Sequence, residues 1–307
     1  MAGVLEGFVT IGAVIALGAL LASLGVLDDA GRVLLSRLSF FVASPALMVT
    51  VLGDADVTAV LSANLAASAA GVVAAGGLYL LSARLLWRRD LAHTVVGTLC
   101  AGYVNAGNLG LPIAAYVLGD AALVAPTILM QLLVLQPVAL ALLDHATSDH
   151  RFSLVRTAAR PLTNPLTLGS LLGLLLAVTG LTLPAAVRDP LELVAGMAVP
   201  AMLMAYGVSL RLGPRPGHGT SLAEIAWITA LKLVVQPATT YVVGRFVLGL
   251  GDTALLAVTV IAALPTAQNI FVHATRYGRG EVVARDAIFV TTLLSVPAVL
   301  LVAALLG

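Results

Sequence analysis

The chain has 307 residues, of which 60% are hydrophobic and only 10% are charged. Soluble domains carry about 25% charged residues, so this composition excludes a soluble globular protein and indicates a chain whose solvent is a lipid bilayer. The net charge of +1 gives no indication of a nucleic-acid partner, and the single cysteine, Cys100, excludes an internal disulfide bond.

Ten apolar stretches are long enough to cross a bilayer, which takes about 20 residues. They are residues 4–26, 33–53, 58–83, 92–118, 122–143, 164–183, 190–210, 222–248, 253–275 and 285–306. Glu6 stands where a cleaved signal would carry basic residues, so we expect residues 4–26 to be a retained first span. The sequence therefore predicts an all-α integral membrane protein with ten transmembrane helices.

The longest connection, residues 144–163, divides the chain into two sets of five spans, residues 1–143 and 164–307. With the N-terminus outside, every arginine except Arg188 and Arg245 falls on the cytoplasmic side, as the positive-inside rule requires. We therefore expect a multi-pass protein of the cell's inner (plasma) membrane, with both termini outside and residues 144–163 as a cytoplasmic linker.

The two halves share landmarks at a nearly constant offset. Pro45 matches Pro200 at an offset of 155 residues, and "VNAGN" (104–108) falls on "PTAQN" (265–269) at an offset of 161. Because five is an odd number of spans, the second half must enter the membrane from the opposite side. The pattern predicts two inverted five-helix repeats, a common plan among secondary transporters.

Helix-breaking and amide residues interrupt spans four and nine at matching places, over residues 105–112 and 265–269. Irregular backbone at mid-membrane depth is tolerated only where protein or a water-filled cavity surrounds it. We therefore expect the two broken helices to cross there, with half-helix N-termini at about Leu109 and Gln268 that present N–H groups to an anion. The alternative is a set of kinks and amides that serve helix packing alone. The predicted substrate site comprises Asn105, Asn108, Pro112, Pro265, Gln268 and Asn269, of which the two prolines preserve the breaks.

Lys232 is the only lysine, and it lies near the middle of span eight, where a charge is costly and usually functional. Gln236 follows one turn later and can share its hydrogen bonds. We expect the ammonium group to hold the substrate anion, or to replace a coupling cation and titrate itself. The alternative is that the flexible side chain snorkels to the membrane interface.

Three further polar residues stand close to the predicted breaks. Gln131 and Gln136 lie on span five, where a separation of five residues places them about 140° apart on an α-helix, so only one is expected to face the site. His273 follows Asn269 by four residues on the same helix face and could carry a proton, the alternative being a solvated side chain near the membrane surface. No metal site is predicted.

The motifs "GYVNAGNLGLPIAAYVLGD" in span four and "ALPTAQNIFVHATRYG" in span nine resemble those of the auxin efflux carrier family, which includes bacterial permeases for malate and related acids. The resemblance covers the whole chain in order. It implies a scaffold of spans 1, 2, 6 and 7, often dimeric, and a moving transport unit of spans 3–5 and 8–10. A similar arrangement occurs in sodium–bile acid symporters.

The function expected from these features is secondary active transport of small organic anions, carboxylates such as auxin-like or dicarboxylic acids, by alternating access with elevator movement. Na⁺ or H⁺ would be the coupling ion, no cofactor is expected, and the partners are the anion, membrane lipid and a second copy in a homodimer. The alternatives are a sensor that binds ligand without flux and a sodium-coupled symporter of the bile-acid type. An intramembrane enzyme is disfavoured because the carboxylates lie at or near the span ends.

Overall fold

A computed structural model describes residues 2–54, 63–147, 165–212 and 221–307. Within these ranges the chain is helical, and the sole β-type pairing is an isolated bridge between Val104 and Thr266. Most of the predicted linker 144–163 lies outside the described residues. The structure confirms the all-α prediction, whereas the count of ten spans and the inverted repeat stay predictions.

The helices are numbered α1 to α12 in chain order. Their bounds are α1 Ala2–Ser23, α2 Asp29–Gly53, α3 Ala63–Leu85, α4 Leu91–Gly102, α5 106–116, α6 Ala121–Thr147, α7 Pro165–Thr179, α8 Ala185–Leu212, α9 222–247, α10 Asp252–Ala262, α11 Asn269–Tyr277 and α12 Glu281–Leu306. In the described part of the chain, α2, α3, α6, α8 and α12 are long and apolar enough to cross a membrane. Shorter apolar helices occur at Gly12–Ser23, Leu91–Gly102, Thr167–Thr179 and Asp252–Ala262.

Four of these helices contain a five-residue π turn that ends two residues before a proline. The turns are Ser39–Ala43 before Pro45, Ala106–Gly110 before Pro112, Gln131–Leu135 before Pro137, and Leu231–Val235 before Pro237. Proline has no N–H group, and its ring clashes with the carbonyl group four residues earlier. In each case that carbonyl belongs to the π turn, whose wider backbone accommodates the ring. Each of these helices therefore continues past its proline, with a local change from α-helical to π-helical hydrogen bonding.

Two compact units divide the chain. The first draws on Met1–Leu61, Gly107–Ala125 and Pro161–Arg215, and the second on Ser62–Ala106, Pro126–Arg160 and Pro216–Gly307. Each unit therefore takes segments from both halves of the sequence.

Glycine permits very close helix packing in the first unit. A Cβ atom added at Gly207 of α8 would collide with the Ile15 carbonyl oxygen of α1, and one at Gly18 of α1 would collide with the Met204 carbonyl oxygen. Small residues let helix backbones approach closely, which provides the dispersion contacts that hold helices together in lipid. The α1–α8 pair therefore depends on glycine at these positions.

The second unit contains α3, α4, most of α6, and α9 to α12. Its apolar core includes Tyr79 of α3, Leu99 of α4, Leu143 of α6, Ile228 of α9 and Ile270 of α11. These helices surround the interruptions between α4 and α5 and between α10 and α11, so the core positions the candidate site.

Candidate functional site

Two of the predicted spans, spans four and nine, are interrupted where the pattern of amides, glycines and prolines predicts an interruption. The chain is non-helical over residues 103–105, between α4 and α5, and over residues 263–268, between α10 and α11. The first interruption is shorter than expected, because α5 begins with the π turn at Ala106 and not at about Leu109. Pro112 is the second residue of the α-helical stretch Leu111–Tyr116 and lies within α5, since the preceding π turn accommodates its ring.

The two interruptions pair with each other through their backbones. Val104 and Thr266 form an antiparallel bridge, the Asn105 N–H group donates to the Pro265 carbonyl oxygen at 2.8 Å, and the Ala267 N–H group donates to the Tyr103 carbonyl oxygen at 3.2 Å. Unpaired backbone groups are costly where water is absent. The pairing therefore stabilises two irregular segments that neither helix could support alone.

Hydrogen bonds with α6, α4 and α12 hold this paired backbone in place. The Gln131 amide of α6 donates to the Val104 carbonyl oxygen at 2.9 Å. The Thr266 hydroxyl donates to the Cys100 carbonyl oxygen of α4 at 2.6 Å, and the Thr266 N–H group donates to the Thr291 hydroxyl of α12 at 3.2 Å. The irregular segments are thus held in one defined conformation.

Lys232 and Gln236 of α9 reach the ends of both interrupted helices. The fully buried Lys232 Nζ donates to Gln236 Oε1 at 2.7 Å and to the Ala262 carbonyl oxygen at the end of α10 at 3.1 Å. Gln236 Nε2 donates to the Gly102 carbonyl oxygen at the end of α4, also at 3.1 Å. Helix C-termini carry partial negative charge, which favours a cation. The burial of Lys232 rules out the snorkelling alternative.

Gln131 and Gln136 both contact the first interruption. Gln131 binds the Val104 carbonyl group, as described, and Gln136 Oε1 accepts a hydrogen bond from the Tyr103 hydroxyl at 3.3 Å. The prediction that only one of them faces the site was wrong. It assumed α-helical spacing, whereas the π turn Gln131–Leu135 closes with the Gln136 N–H group donating to the Gln131 carbonyl oxygen, which brings the two residues to the same side of α6.

The remaining predicted residues of the second unit lie around the same paired segments. Asn105 is only 2% exposed. Asn269, the first residue of α11, interacts with the Tyr103 hydroxyl, and its buried Oδ1 receives no hydrogen bond from the described residues. Gln268 is half-buried, with its carbonyl oxygen bound by the Phe271 N–H group at 3.1 Å.

Asn108 and His273 are the remaining predicted site residues. Asn108 lies in the π turn of α5, which belongs to the first compact unit, and its side chain falls outside the described residues. His273 is half-buried, one turn after Asn269 on α11. The amides that the structure brings together are those of Asn105, Gln131, Gln136 and Asn269.

Sequence reasoning missed Tyr103 and Thr266, whose hydroxyl groups connect the interruptions to their surroundings. Tyr103 immediately precedes the motif "VNAGN", and Thr266 lies within "PTAQN". A signal was therefore present, because each is a hydrogen-bonding residue inside a segment that was already expected to be irregular.

The family described as "Membrane transport protein" matches residues 4–144 and 139–303. The chain belongs to this family. The match confirms the resemblance to auxin efflux carriers that the motifs in spans four and nine suggested, and it identifies a multi-pass membrane protein of a transporter family and not an enzyme family. The chain is also similar to a "Putative malonate transporter" of Rhizobium meliloti (strain 1021), with 29% identity over 227 residues that cover 70% of this chain and 68% of that protein.

Proposed function

We propose that this family member is a secondary active transporter of small dicarboxylates of the malonate class. The membership of the family, the name of the Rhizobium relative and the paired interruptions support this function. In this proposal α4 with α5 forms span four, α10 with α11 forms span nine, and ten spans build two inverted repeats. Spans 1, 2, 6 and 7 form a dimeric scaffold in the inner membrane, with both termini outside, and spans 3–5 and 8–10 carry the substrate by elevator movement.

The observation that carries the proposal is the buried network of Lys232 and Gln236 at the ends of α4 and α10. An amine at this depth in a membrane protein is costly and marks a site that uses it. Its partners are the Gln236 amide oxygen and the Ala262 carbonyl oxygen at the negative end of α10, so between the two expected roles we assign it the replacement of a coupling cation. The transporter then needs no Na⁺ at this position, unlike a sodium-coupled symporter of the bile-acid type.

The substrate site in this proposal is formed by the amides around the paired interruptions. Carboxylate oxygens accept hydrogen bonds from amide NH₂ groups, and α11, which begins at Asn269, adds a positive helix end. Asn269 is the central residue, because its side chain combines an interaction with Tyr103 and a buried oxygen that the described residues do not bind. Asn105 and Gln268 are assigned to the same site.

The test is uptake of labelled malonate, acetate, indole-3-acetate and taurocholate by proteoliposomes, each with and without Na⁺ and H⁺ gradients. We expect saturable malonate uptake that is independent of Na⁺. Asn269→Ala should reduce it about tenfold, equivalent to about 1.4 kcal/mol of substrate binding. Asn64→Ala, an amide in the first turn of α3, is the control and should leave uptake unchanged.

Three other outcomes would contradict the proposal in different ways. Malonate binding without flux would favour the sensor alternative. Sodium-dependent taurocholate uptake would favour a bile-acid-type symporter. Neither binding nor uptake of any of the four acids would exclude an organic-anion transporter of this substrate range.

A further inference from the structure

Glu224, in the first turn of α9, is a fully buried carboxylate with three side-chain partners. Its Oε1 accepts hydrogen bonds from the Tyr79 hydroxyl at 2.7 Å and from His93 Nε2 at 2.8 Å, and its Oε2 accepts one from Arg89 Nη2 at 2.5 Å. The Glu224 side chain is 0% exposed, whereas those of His93 and Arg89 are 18% and 35% exposed. The cluster is therefore closed on the Glu224 side and reaches the protein surface through its basic partners.

The surrounding helices are shaped to hold this cluster. Gly97 of α4 leaves the space in which the Tyr79 ring crosses toward Glu224, since a Cβ atom at Gly97 would collide with that ring. Trp227 Nε1, one turn after Glu224, donates to the Ser82 hydroxyl of α3 at 2.9 Å and so forms a second connection between α9 and α3. The cluster thus connects α3, α4 and α9 at one end of the second unit.

Among the three side chains that bind Glu224, His93 is the one whose ring has a second nitrogen that can bind a proton. Arg89 already balances the carboxylate of Glu224, and a carboxylate can only accept, so the proton of a neutral His93 resides on Nε2. Histidine ordinarily changes charge between about pH 5 and 8. The elements packed against α4 carry further titratable or charged groups whose side chains are described. They are Tyr79 and Arg84 of α3, Arg88 and Asp90 before α4, Cys100 of α4 itself, Asp144 and His145 of α6, Lys232 of α9, His273 and Tyr277 of α11, and Glu281, Arg285 and Asp286 of α12. Tyr277 donates a hydrogen bond to Asp144, and Arg285 and Asp286 form an ion pair.

The same two helices that meet at Glu224 meet again beside the interruptions. At one end His93 of α4 binds Glu224 of α9, and at the other the Gly102 carbonyl group of α4 binds Gln236 of α9. Lys232 lies between these two contacts, eight residues or about 12 Å along α9 from Glu224, which is too far for a direct ion pair. The two contacts therefore hold the same pair of helices together at two levels.

We propose that His93 and Glu224 form a proton-binding site of the transporter, separate from the substrate site, and that its protonation controls how α9 is held against α4. The proton binds to Nδ1 of His93, no covalent bond other than N–H forms, and Glu224 then has two cationic partners instead of one. The altered contact changes the position of Lys232 and Gln236 relative to the ends of α10 and α4. H⁺ is the coupling ion in this scheme, which rests on the proposed function only for the link between protonation and transport.

The first experiment measures the pH dependence of malonate uptake by proteoliposomes between pH 5.5 and 8.5. His93→Gln retains an N–H donor for Glu224 and cannot gain a proton, and His145→Gln, an exposed histidine of α6, is the matched control. A single required proton changes the rate by up to about tenfold per pH unit. We expect that slope in the wild type and in His145→Gln, whereas His93→Gln should have a flat profile at the level that the wild type reaches at high pH.

Tyr79→Phe separates proton binding from simple loosening of the cluster. It removes one hydrogen bond to Glu224 and leaves His93 in place, so it should retain the wild-type pH profile even if its uptake is lower. A His93→Gln profile identical to that of the wild type, or a flat profile for Tyr79→Phe, would overturn the proposal. His93→Asn serves as the second variant if His93→Gln does not yield folded protein.

A second readout does not depend on transport. The melting temperature of the purified full-length protein in detergent is measured over the same pH range without substrate. The difference between wild type and His93→Gln should vary with pH, and the difference between wild type and His145→Gln should vary less. If wild-type protein transports none of the acids, the proposed function fails while this comparison still tests the proton site. Parallel melting curves for wild type and His93→Gln would exclude it.

Discussion

The Lys232 amine donates a hydrogen bond to the carbonyl oxygen of Ala262, 3.1 Å away, so a side chain of α9 caps the last turn of α10. The same amine binds Gln236 Oε1, which places the two side chains in one network with the end of α4. Among the described residues this buried amine has no carboxylate partner, and the negative end of α10 together with the Gln236 amide oxygen provides the physical reason why it is tolerated.

Lys232→Met should impair both stability and transport. Methionine has a similar length but no donor, so the Ala262 carbonyl oxygen and Gln236 Oε1 each lose a partner, at a cost of about 1–3 kcal/mol for a buried unsatisfied group. We expect a lower melting temperature in detergent and strongly reduced malonate uptake. Val234→Met, at a site on α9 that is 63% exposed, is the control. If Lys232→Met had the uptake and the melting temperature of the wild type, the network would be needed neither for stability nor for transport.

Gln131→Leu and Gln136→Leu should each weaken malonate binding, because the π turn brings both amides to the first interruption. Loss of one hydrogen bond of about 1 kcal/mol corresponds to about a fivefold increase in Kd. Binding is measured by isothermal titration calorimetry on the purified protein. Val138→Leu, on the exposed side of α6, should bind normally. An effect from only one of the glutamines would indicate that this part of α6 has α-helical spacing, so that only one of the two side chains faces the first interruption.

Pro237→Ala should reduce both transport and stability. The new N–H group can bond to the Leu233 carbonyl group and convert the π turn Leu231–Val235 into regular α-helix. That conversion rotates the segment with Glu224 relative to Gln236 by about 100°, so the two contacts of α9 with α4 cannot both form. We expect low malonate uptake and a lower melting temperature, because one of the two buried contacts loses its hydrogen bonds.

The matched control for this change is Pro297→Ala, a proline within α12 that no π turn precedes among the described residues. This change removes a proline from a membrane helix but converts no π turn, so the rotation of the helix stays the same and uptake should be retained. Normal uptake in Pro237→Ala would show that the π turn is not needed for transport.

Gly97→Ala should destabilise the second unit, since the added methyl group collides with the Tyr79 ring and displaces its hydroxyl from Glu224. Overpacking of this kind costs about 1–3 kcal/mol. Gly77→Ala, in α3, is the control, because a Cβ atom there meets nothing within 4 Å and alanine favours a helix. Thermal unfolding should show a lower melting temperature for Gly97→Ala and an equal or higher one for Gly77→Ala. The reverse order would contradict the described packing of α3 against α4.

Several features of this protein could be predicted from the sequence because they depend on local composition. The low content of charged residues indicated the membrane, and the clusters of asparagine, glycine and proline located the two interruptions to within a few residues. The π turns were also open to prediction, since four of them precede a proline by two residues, but α-helical spacing was assumed instead.

The partners of the buried polar groups were decided only by the tertiary structure. The three side chains that bind Glu224 are separated from it by 145, 135 and 131 positions in the sequence. The carbonyl group that Lys232 binds is 30 positions away. Such contacts depend on which helices are neighbours and on how far each is rotated about its axis. A single π turn changes that rotation for everything that follows it, which is why Gln131 and Gln136 face the same segment although their spacing in an α-helix would separate them.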